Sequence, residues 1–299
     1  MRPQGRATAA TVCRCAAHLH SLREAVTARA AWLETMLPFS YFLANRRSHS
    51  SQVPVMSARP FRPHTAMILA AGLGKRMRPI TATTPKPLIE VNGKALMDHG
   101  MDKLAAAGVK RCVVNVHYLA DLVEVHARRR QDMEIIISDE RDSVLETGGG
   151  VVKALPALGT DPFFLLNADT AYWIEGVKPN LEHMIDAFDP ERMDGLLLIS
   201  DLINSVGYEG RGDFLMDTEG RLTRRPERYV TPFAYAGAAI FSPRLFDGAP
   251  EGKFSLNVLF DRAIAEGRLH GVLMEGIWLH VGTPKDIAAA EAAVRESAD

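Results

Sequence analysis

The chain has 299 residues, 47% of them hydrophobic, which is enough to bury a full core in one large domain or in one domain with a smaller lobe. Its formal net charge is -1, but residues 1–55 hold seven Arg and two Glu, so the remaining 244 residues hold 28 basic and 34 acidic groups, a net charge of -6. This negative balance excludes the broad basic face of a nucleic-acid binder. Three cysteines cannot build a disulfide framework, and no apolar run approaches the ~18 residues of a membrane span, which favours a cytoplasmic protein with no membrane partner.

Residues 1–65 differ in composition from the rest of the chain. They are rich in Ala and Arg, contain no Lys or Asp, and end in a segment broken by Pro54, Pro60 and Pro63. This composition is typical of a transit-like leader, or it reflects a start codon assigned too early, with Met56 as the first residue. The second interpretation is favoured because the folded pattern begins only at Thr65. We therefore predict an N-terminal extension over 1–65, disordered or mis-assigned, and one functional domain over 66–299.

From residue 66 onward, short apolar runs alternate with helical patterns. The predicted strands cover 66–71, 111–118, 133–140, 162–169 and 195–200, and the predicted helices cover 95–108, about 120–130, and a stretch after the glycines at 148–150. After Gly207, short pieces at 212–217, 235–241 and 271–282 indicate antiparallel strands, and a last helix runs from about Pro284 to Val294. The order predicts a Rossmann-like three-layer α/β fold, with a mixed, mainly parallel sheet and helices on both faces.

Three motifs follow predicted strands. They are the loop LAAGLGKRMRPITATTPKPL (69–88), the segment SVLETGGGVVKAL (143–155) and the tripeptide Asn167-Ala168-Asp169. Taken singly, each has a structural explanation: a solvated basic face, a flexible turn and a helix N-cap. Ligands of an open parallel sheet bind outside the carboxyl ends of the strands, so we expect the three motifs to form one site.

The first loop resembles a phosphate cradle but matches neither common pattern. A P-loop needs a different glycine spacing, and a dinucleotide fingerprint needs a third glycine where Met77 stands. Gly72 and Gly74 allow backbone N–H groups to approach a phosphate closely, which a Cβ atom would prevent. Lys75 and Arg76 supply positive charge to the β- and γ-phosphates.

The remaining charges complete a predicted nucleoside triphosphate site. Lys86 stands between Pro85 and Pro87, which stiffen its backbone. Asp169 offers an oxygen ligand suited to Mg²⁺, which usually takes one or two carboxylates together with substrate phosphates. The glycines at 148–150 are expected to leave room for a flat base against the backbone.

The motif LAAGxGKRMRP...TPKPL resembles the signature of sugar-1-phosphate nucleotidyltransferases, and the similarity runs from Met67 to about Arg295. The resemblance implies transfer of a nucleotidyl group from a nucleoside triphosphate to a sugar 1-phosphate, with release of pyrophosphate. The segments LETGGG, GRGDF (210–214) and WLHVGTP (278–284) favour the members that use UTP and N-acetylmuramate 1-phosphate in cell-wall (peptidoglycan) recycling. Members that use GTP and mannose 1-phosphate are the alternative.

The resemblance also implies roles for individual residues. The catalytic group consists of Arg76, Lys86 and Asp169. The nucleotide-binding group consists of Ala71, Gly72, Gly74, Lys75, Thr147 and Gly148. The group that contacts the sugar phosphate consists of Asn167, Asp213 and Gly237. Asp169 is the implied ligand of Mg²⁺, with Mn²⁺ as an alternative.

One position departs from the family pattern. Where the family has a second metal-binding carboxylate before a Val-Gly-Thr step, this chain has His280. Three interpretations stay open: His280 ligates a softer metal such as Mn²⁺, it contacts a phosphate directly, or it is structural. The phosphate contact is favoured because an imidazolium replaces part of a metal's charge. The missing carboxylate also leaves open a rival class, a regulator that binds a nucleotide sugar without catalysis.

Overall fold

The structure is a computed structural model that describes residues 61–170 and 172–298. The predicted N-terminal extension and its alternative start at Met56 therefore lie almost entirely outside the described residues. The division of the chain into an extension and a functional domain stays a prediction.

The central sheet contains nine of the described strands. They are β1 (Thr65–Leu69), β4 (Arg111–Val116), β5 (Glu134–Asp139), β6 (Phe163–Asn167), β8 (Gly195–Asp201), β10 (Phe214–Met216), β11 (Leu222–Arg224), β12 (Phe233–Phe241) and β13 (Leu269–Leu273). The main path of the sheet runs β11-β10-β12-β6-β1-β4-β5, with β8 beside β12 and β13 beside β8.

The parallel strands β6, β1, β4 and β5 lie next to one another near one end of this sheet. Neighbouring residues along β1 and β6 face opposite sides: Ile68 and Leu166 belong to one apolar cluster, whereas Met67 and Leu165 belong to another. Both faces are therefore buried. This explains why β6 reads as a continuous apolar run without polar alternation.

The structure describes six helices, of which the first five cover the central sheet: α1 (Leu96–Ala106), α2 (Ala120–Ala127), α3 (Glu146–Leu158), α4 (Asn180–Ala187), α5 (Asn257–Ala265) and α6 (Pro284–Ser297). The buried sides of α1, α2 and α4 join the first cluster, and those of α3 and α5 join the second. Helices thus lie on both faces, as a three-layer α/β fold requires. Among the described helices, none is long and apolar enough to cross a membrane.

A smaller unit of structure lies beside the main sheet. The strands β7 (Trp173–Glu175), β14 (Gly276–Leu279) and β9 (Ser205–Val206) form a three-stranded sheet, and β2 (Glu90–Val91) pairs with β3 (Lys94–Ala95). Side chains from these strands and from α6 form a third apolar cluster. Helix α6 begins with a capping box between Thr283 and Asp286, which defines its first turn.

The structure corrects three features of the predicted layout. Strand β13 pairs parallel to β8, because α5 carries the chain across the sheet before β13 begins, whereas an antiparallel strand was predicted. The helices α4 and α5 and the short strands β2, β3, β7, β9 and β11 were not predicted. Helix α3 begins at Glu146, so the three glycines lie inside the helix and do not precede it.

Candidate active site

A cavity of about 580 Å³ opens at the carboxyl edge of the parallel strands. The loop after β1, the start of α3 and the residues after β6 all border it, so the three sequence motifs converge as expected. Most of the predicted site residues line this cavity: Ala71, Gly72, Gly74, Lys75, Arg76, Lys86, Thr147, Asn167 and Asp169.

The two glycines of the first loop serve different purposes. Gly74 has φ of +58°, and a Cβ added there would lie 2.9 Å from Thr81 Cγ2 and 3.1 Å from Lys86 Cβ. The backbone turn therefore requires glycine at 74. A Cβ at Gly72 would meet nothing within 4 Å. Gly72 thus leaves an open backbone surface on the cavity wall, which a phosphate could approach.

The cations of this loop are presented from a short turn. Lys75 and Arg76 lie in the 3-10 helix Lys75–Met77, and the buried Met77 side chain anchors that turn. Both cationic side chains are exposed and border the cavity. The arrangement concentrates positive charge beside the open glycine.

Lys86 and Asp169 form an ion pair inside the cavity. The Lys86 Nζ atom lies 2.7 Å from Asp169 Oδ2, and the side chains are 7% and 33% exposed. Lys86 begins the 3-10 helix Lys86–Leu88, with buried prolines on either side. The ammonium is therefore held at a defined point next to the one acidic residue that the sequence assigned to the metal.

His280 is half-buried beside this ion pair. Burial lowers the pKa of its imidazole, and Nδ1 donates a hydrogen bond to the Gly207 carbonyl at 3.2 Å. Because Nδ1 carries the proton, Nε2 holds a lone pair near neutral pH. The interpretation favoured from sequence needed an imidazolium to contact phosphate, and the lowered pKa argues against that charged form. A neutral ring suits either a metal ligand or a structural role.

Two residues expected near the sugar do not line the cavity. Asp213 Oδ2 accepts a hydrogen bond from the Tyr235 amide at 2.9 Å, which supports an irregular part of β12. Gly237 has φ of +82°, and a Cβ there would lie 2.2 Å from Thr170 Oγ1. Gly237 therefore allows β12 to approach the loop after β6. Both residues have structural partners, and their contact with a sugar stays a prediction.

The expectation that the glycines at 148–150 leave room for a base is wrong. A Cβ at Gly148 would lie 2.3 Å from the Phe254 ring, and one at Gly149 would lie 2.1 Å from the Gly252 carbonyl oxygen. The Gly148 amide also donates to the Phe254 carbonyl at 2.9 Å. The space is filled by the segment around residue 254, so Gly148 does not border the cavity although its neighbour Thr147 does.

The profile of the nucleotidyl transferase family matches residues 65–297. The chain belongs to this family. Over 239 residues it is 46% identical to the N-acetylmuramate alpha-1-phosphate uridylyltransferase of Caulobacter vibrioides, covering 79% of this chain and 98% of that protein. It is 32% identical to the enzyme of the same name from Neisseria meningitidis serogroup B (76% and 96% covered). It is 28% identical to the mannose-1-phosphate guanyltransferase beta-A of Xenopus laevis (74% and 62%).

Solved structures agree on the fold of this nucleotidyltransferase. The inositol-1-phosphate CTP transferase from T. maritima superposes with a TM-score of 0.64 at 18% identity, covering 79% of this chain and 98% of that one. The predicted fold class is confirmed. The assignment to the sugar-1-phosphate nucleotidyltransferases is confirmed as well, by the family match and the 46% identical relative.

Two polar residues in the cavity wall of the nucleotidyltransferase were missed in the sequence. Asn115 lies near the end of β4 and Glu140 directly follows β5, and each is only 2% exposed. Both occupy the strand-end position that marked Asp169, so the same rule applied to every predicted strand would have found them. The exposed tip of the segment beyond residue 250 adds Lys253 to the wall.

The donor set fits a divalent ion that is only partly held by protein. No group of three or more His, Cys, Asp or Glu within residues 61–170 and 172–298 is arranged to hold a metal. The Asp169 carboxylate borders the cavity among cations that suit a triphosphate. One carboxylate combined with substrate phosphate oxygens is an ordinary environment for Mg²⁺.

Proposed function

We propose that this enzyme transfers a uridylyl group from UTP to N-acetylmuramate α-1-phosphate, releasing pyrophosphate and forming UDP-N-acetylmuramate. The observation that carries the choice of substrates is the 46% identity to a relative of that name, over 98% of the relative's length. The cavity supports the reaction class, because open glycine backbone, clustered cations and one carboxylate lie together in it.

The nucleophile needs no general base from the protein. A phosphomonoester has a second pKa near 6, so its oxygen is deprotonated at neutral pH. The barrier instead comes from bringing two anions together, and the protein contributes position and positive charge. We assign Arg76 to the departing pyrophosphate, Lys86 to the phosphates at the reacting centre, and Lys75 to the triphosphate. The Gly72 backbone admits the phosphates to close range.

Asp169 is the residue that would hold a divalent ion, Mg²⁺ with Mn²⁺ as the alternative, together with substrate phosphate oxygens. Such an ion supplies charge neutralisation on the triphosphate. His280 Nε2 offers a second, softer donor, which would favour Mn²⁺. The proposal places the enzyme in the cytoplasm, where nucleoside triphosphates are available, and Cys112, the free cysteine of the described residues, is buried.

Two alternatives give different products in one assay. A guanylyltransferase would release pyrophosphate from GTP and mannose 1-phosphate, and a catalytically inactive regulator would release none. We would incubate the protein with each of four nucleoside triphosphates and a panel of sugar 1-phosphates, and measure pyrophosphate. Release that depends on UTP and N-acetylmuramate α-1-phosphate supports the proposal. Release with the guanine pair, or none with any pair, rejects it.

A further inference from the structure

Asn115 and Glu140 form a buried polar pair in the wall of the nucleotide cavity. The Asn115 side-chain amide donates to Glu140 Oε1 at 2.8 Å, and both residues are 2% exposed. Asn115 Oδ1 accepts from the Ala70 amide at 2.7 Å, and Glu140 Oε2 accepts from the Leu145 amide at 3.1 Å. The Asn115–Glu140 pair therefore joins two backbone segments through three consecutive hydrogen bonds.

The burial of Glu140 is costly and has no compensation from a cation. Within the described residues, no Lys or Arg lies within ion-pair distance of its carboxylate, and its side-chain partners are neutral. Burying a carboxylate with only neutral donors is unfavourable relative to an apolar side chain of the same size. Gly150 makes the room, because a Cβ there would lie 2.9 Å from Glu140 Oε1 and 3.0 Å from Asn115 Nδ2. A cost of this kind at a cavity wall suggests a role beyond stability.

The two segments that the pair joins both continue into the wall of the cavity. Ala70 is followed by Ala71 and Gly72, which line the cavity. Leu145 is followed by Glu146 and Thr147, which also line it. The hydrogen-bond chain crosses the ends of β4 and β5 between them. It therefore links the glycine loop to the start of α3 through side chains of β4 and of the residue after β5.

We propose that the Asn115–Glu140 pair is a positioning device that holds the glycine loop and the start of α3 at the separation needed to bind a nucleoside triphosphate. The inference rests on the proposed function, in that UTP is taken as the ligand of this cavity. The pair acts through Ala70 and Leu145 and carries no chemistry of the reaction itself. Its loss should weaken nucleotide binding and leave the rate of the bound complex nearly unchanged.

The amide and the carboxylate of the pair can be exchanged between positions 115 and 140. This exchange tests whether the hydrogen bonds themselves matter or the negative charge at position 140. In Glu140→Gln, four donor groups (the Ala70 and Leu145 amides and the two side-chain NH2 groups) face only two amide oxygens, so at least one N–H donor loses its partner. In Asn115→Asp, two carboxylates face each other. The double variant Asn115→Asp/Glu140→Gln restores all three bonds. The new carboxylate at position 115 accepts from Ala70 and from the new amide at position 140, and the oxygen of that amide accepts from Leu145. The swap moves the negative charge from position 140 to position 115.

The test measures the Kd of Mg-UTP by calorimetry, and kcat and KM by pyrophosphate release, for wild type, both single variants and the double variant. We expect each single variant to raise Kd and KM for UTP about tenfold, the size expected for one buried group left unpaired, with kcat within about threefold. The double variant should return both to within about threefold of wild type. Single variants that bind UTP like wild type, or a double variant as weak as the singles, would overturn the inference.

The chain contains a matched control pair away from the cavity. The Asn180 side-chain Nδ2 donates to Glu175 Oε2 at 2.8 Å, and Asn180 Oδ1 accepts from the backbone amide of Glu275 at 2.8 Å. Asn180→Asp should lower the melting temperature as the cavity variants do, yet leave Kd for UTP unchanged; a tenfold rise would show that general destabilisation explains the effect and would refute the inference.

Two further results keep the outcome clear. If a single variant does not fold, the double variant still decides: wild-type binding of UTP supports the inference, and tenfold weaker binding overturns it. Wild type that neither binds UTP nor releases pyrophosphate from it would instead refute the proposed function.

Discussion

Replacement of Lys86 by Met removes one charge from the reacting centre and keeps nearly the same side-chain volume. In the structure the Lys86 side chain is 7% exposed, and its Nζ atom lies 2.7 Å from Asp169 Oδ2. A phosphate oxygen of the substrate held at a similar distance from this ammonium would be attracted by about 6 kcal/mol at an effective dielectric constant of about 20. Part of this attraction already acts on the bound substrate before reaction, so only the remainder lowers the barrier.

Removing one donor aimed at developing charge typically costs about 2.7–4 kcal/mol of transition-state stabilisation. We therefore expect kcat of Lys86→Met to fall by about 10²- to 10³-fold, with melting temperature little changed because Met fills the same buried space. The assay is pyrophosphate release at saturating UTP and sugar 1-phosphate, with circular dichroism to confirm folding.

Lys103 provides the matched control for this substitution. Its Nζ atom lies 2.8 Å from Glu175 Oε1, and the two side chains are 17% and 30% exposed, which closely resembles the Lys86–Asp169 pair. Lys103 does not border the nucleotide cavity. Lys103→Met should therefore keep wild-type kcat. A folded Lys86→Met enzyme that turns over within threefold of wild type would refute the assignment of Lys86 to the reacting centre.

Three other sets of substitutions test separate parts of the structure. Asp169→Asn should lower turnover at least about 100-fold and weaken Mn²⁺ binding in the presence of UTP, measured by calorimetry, because a neutral amide is a poorer ligand; unchanged Mn²⁺ affinity would exclude Asp169 as the metal ligand. Gly74→Ala should lower the free energy of unfolding by about 1–3 kcal/mol in urea titrations, because φ is +58° and the new Cβ atom would lie too close to Thr81. Gly72→Ala should fold normally and bind UTP more weakly. Equal stability of the two variants would contradict this distinction. Burial lowers the pKa of His270, so as the pH falls the unfolded chain takes up a proton at this residue before the folded chain does. The free energy of unfolding should therefore decrease as the pH falls from about 6.5, and it should level off once the pH is below the pKa of the folded state. His270→Gln should make this decrease smaller, and a pH profile identical to that of wild type would reject the reasoning.

Much of the fold was encoded locally. The apolar runs at β1, β4, β6 and β8 predicted strands because a strand buried on both faces needs apolar side chains on both. The run at β5 predicted a strand as well, although this edge strand is only partly buried. The cations of the first loop and Asp169 were predicted as parts of one site because carboxyl ends of parallel strands meet at one edge. The cavity brings both to its wall.

Other features depended on residues far apart in the chain. The glycines at 148–150 predict space for a base, but residues far along the chain fill it: Phe254 lies against Gly148, and the Gly252 carbonyl lies against Gly149. The charge of His280 was inferred from its type, yet burial of the ring in the folded chain lowers its pKa. The direction of β13 followed from α5, which was not recognised in the sequence.

Local sequence was enough to predict which segments form the parallel strands, which loop concentrates positive charge and which carboxylate follows β6, because these properties depend on neighbouring residues. Long-range packing was needed to show which atoms fill the space beside each glycine, how burial shifts the pKa of His280, and which polar groups meet in the cavity wall. The Asn115–Glu140 pair illustrates the difference. Its hydrogen bonds join residues 70, 115, 140 and 145, and no local pattern records the burial that gives those bonds their importance.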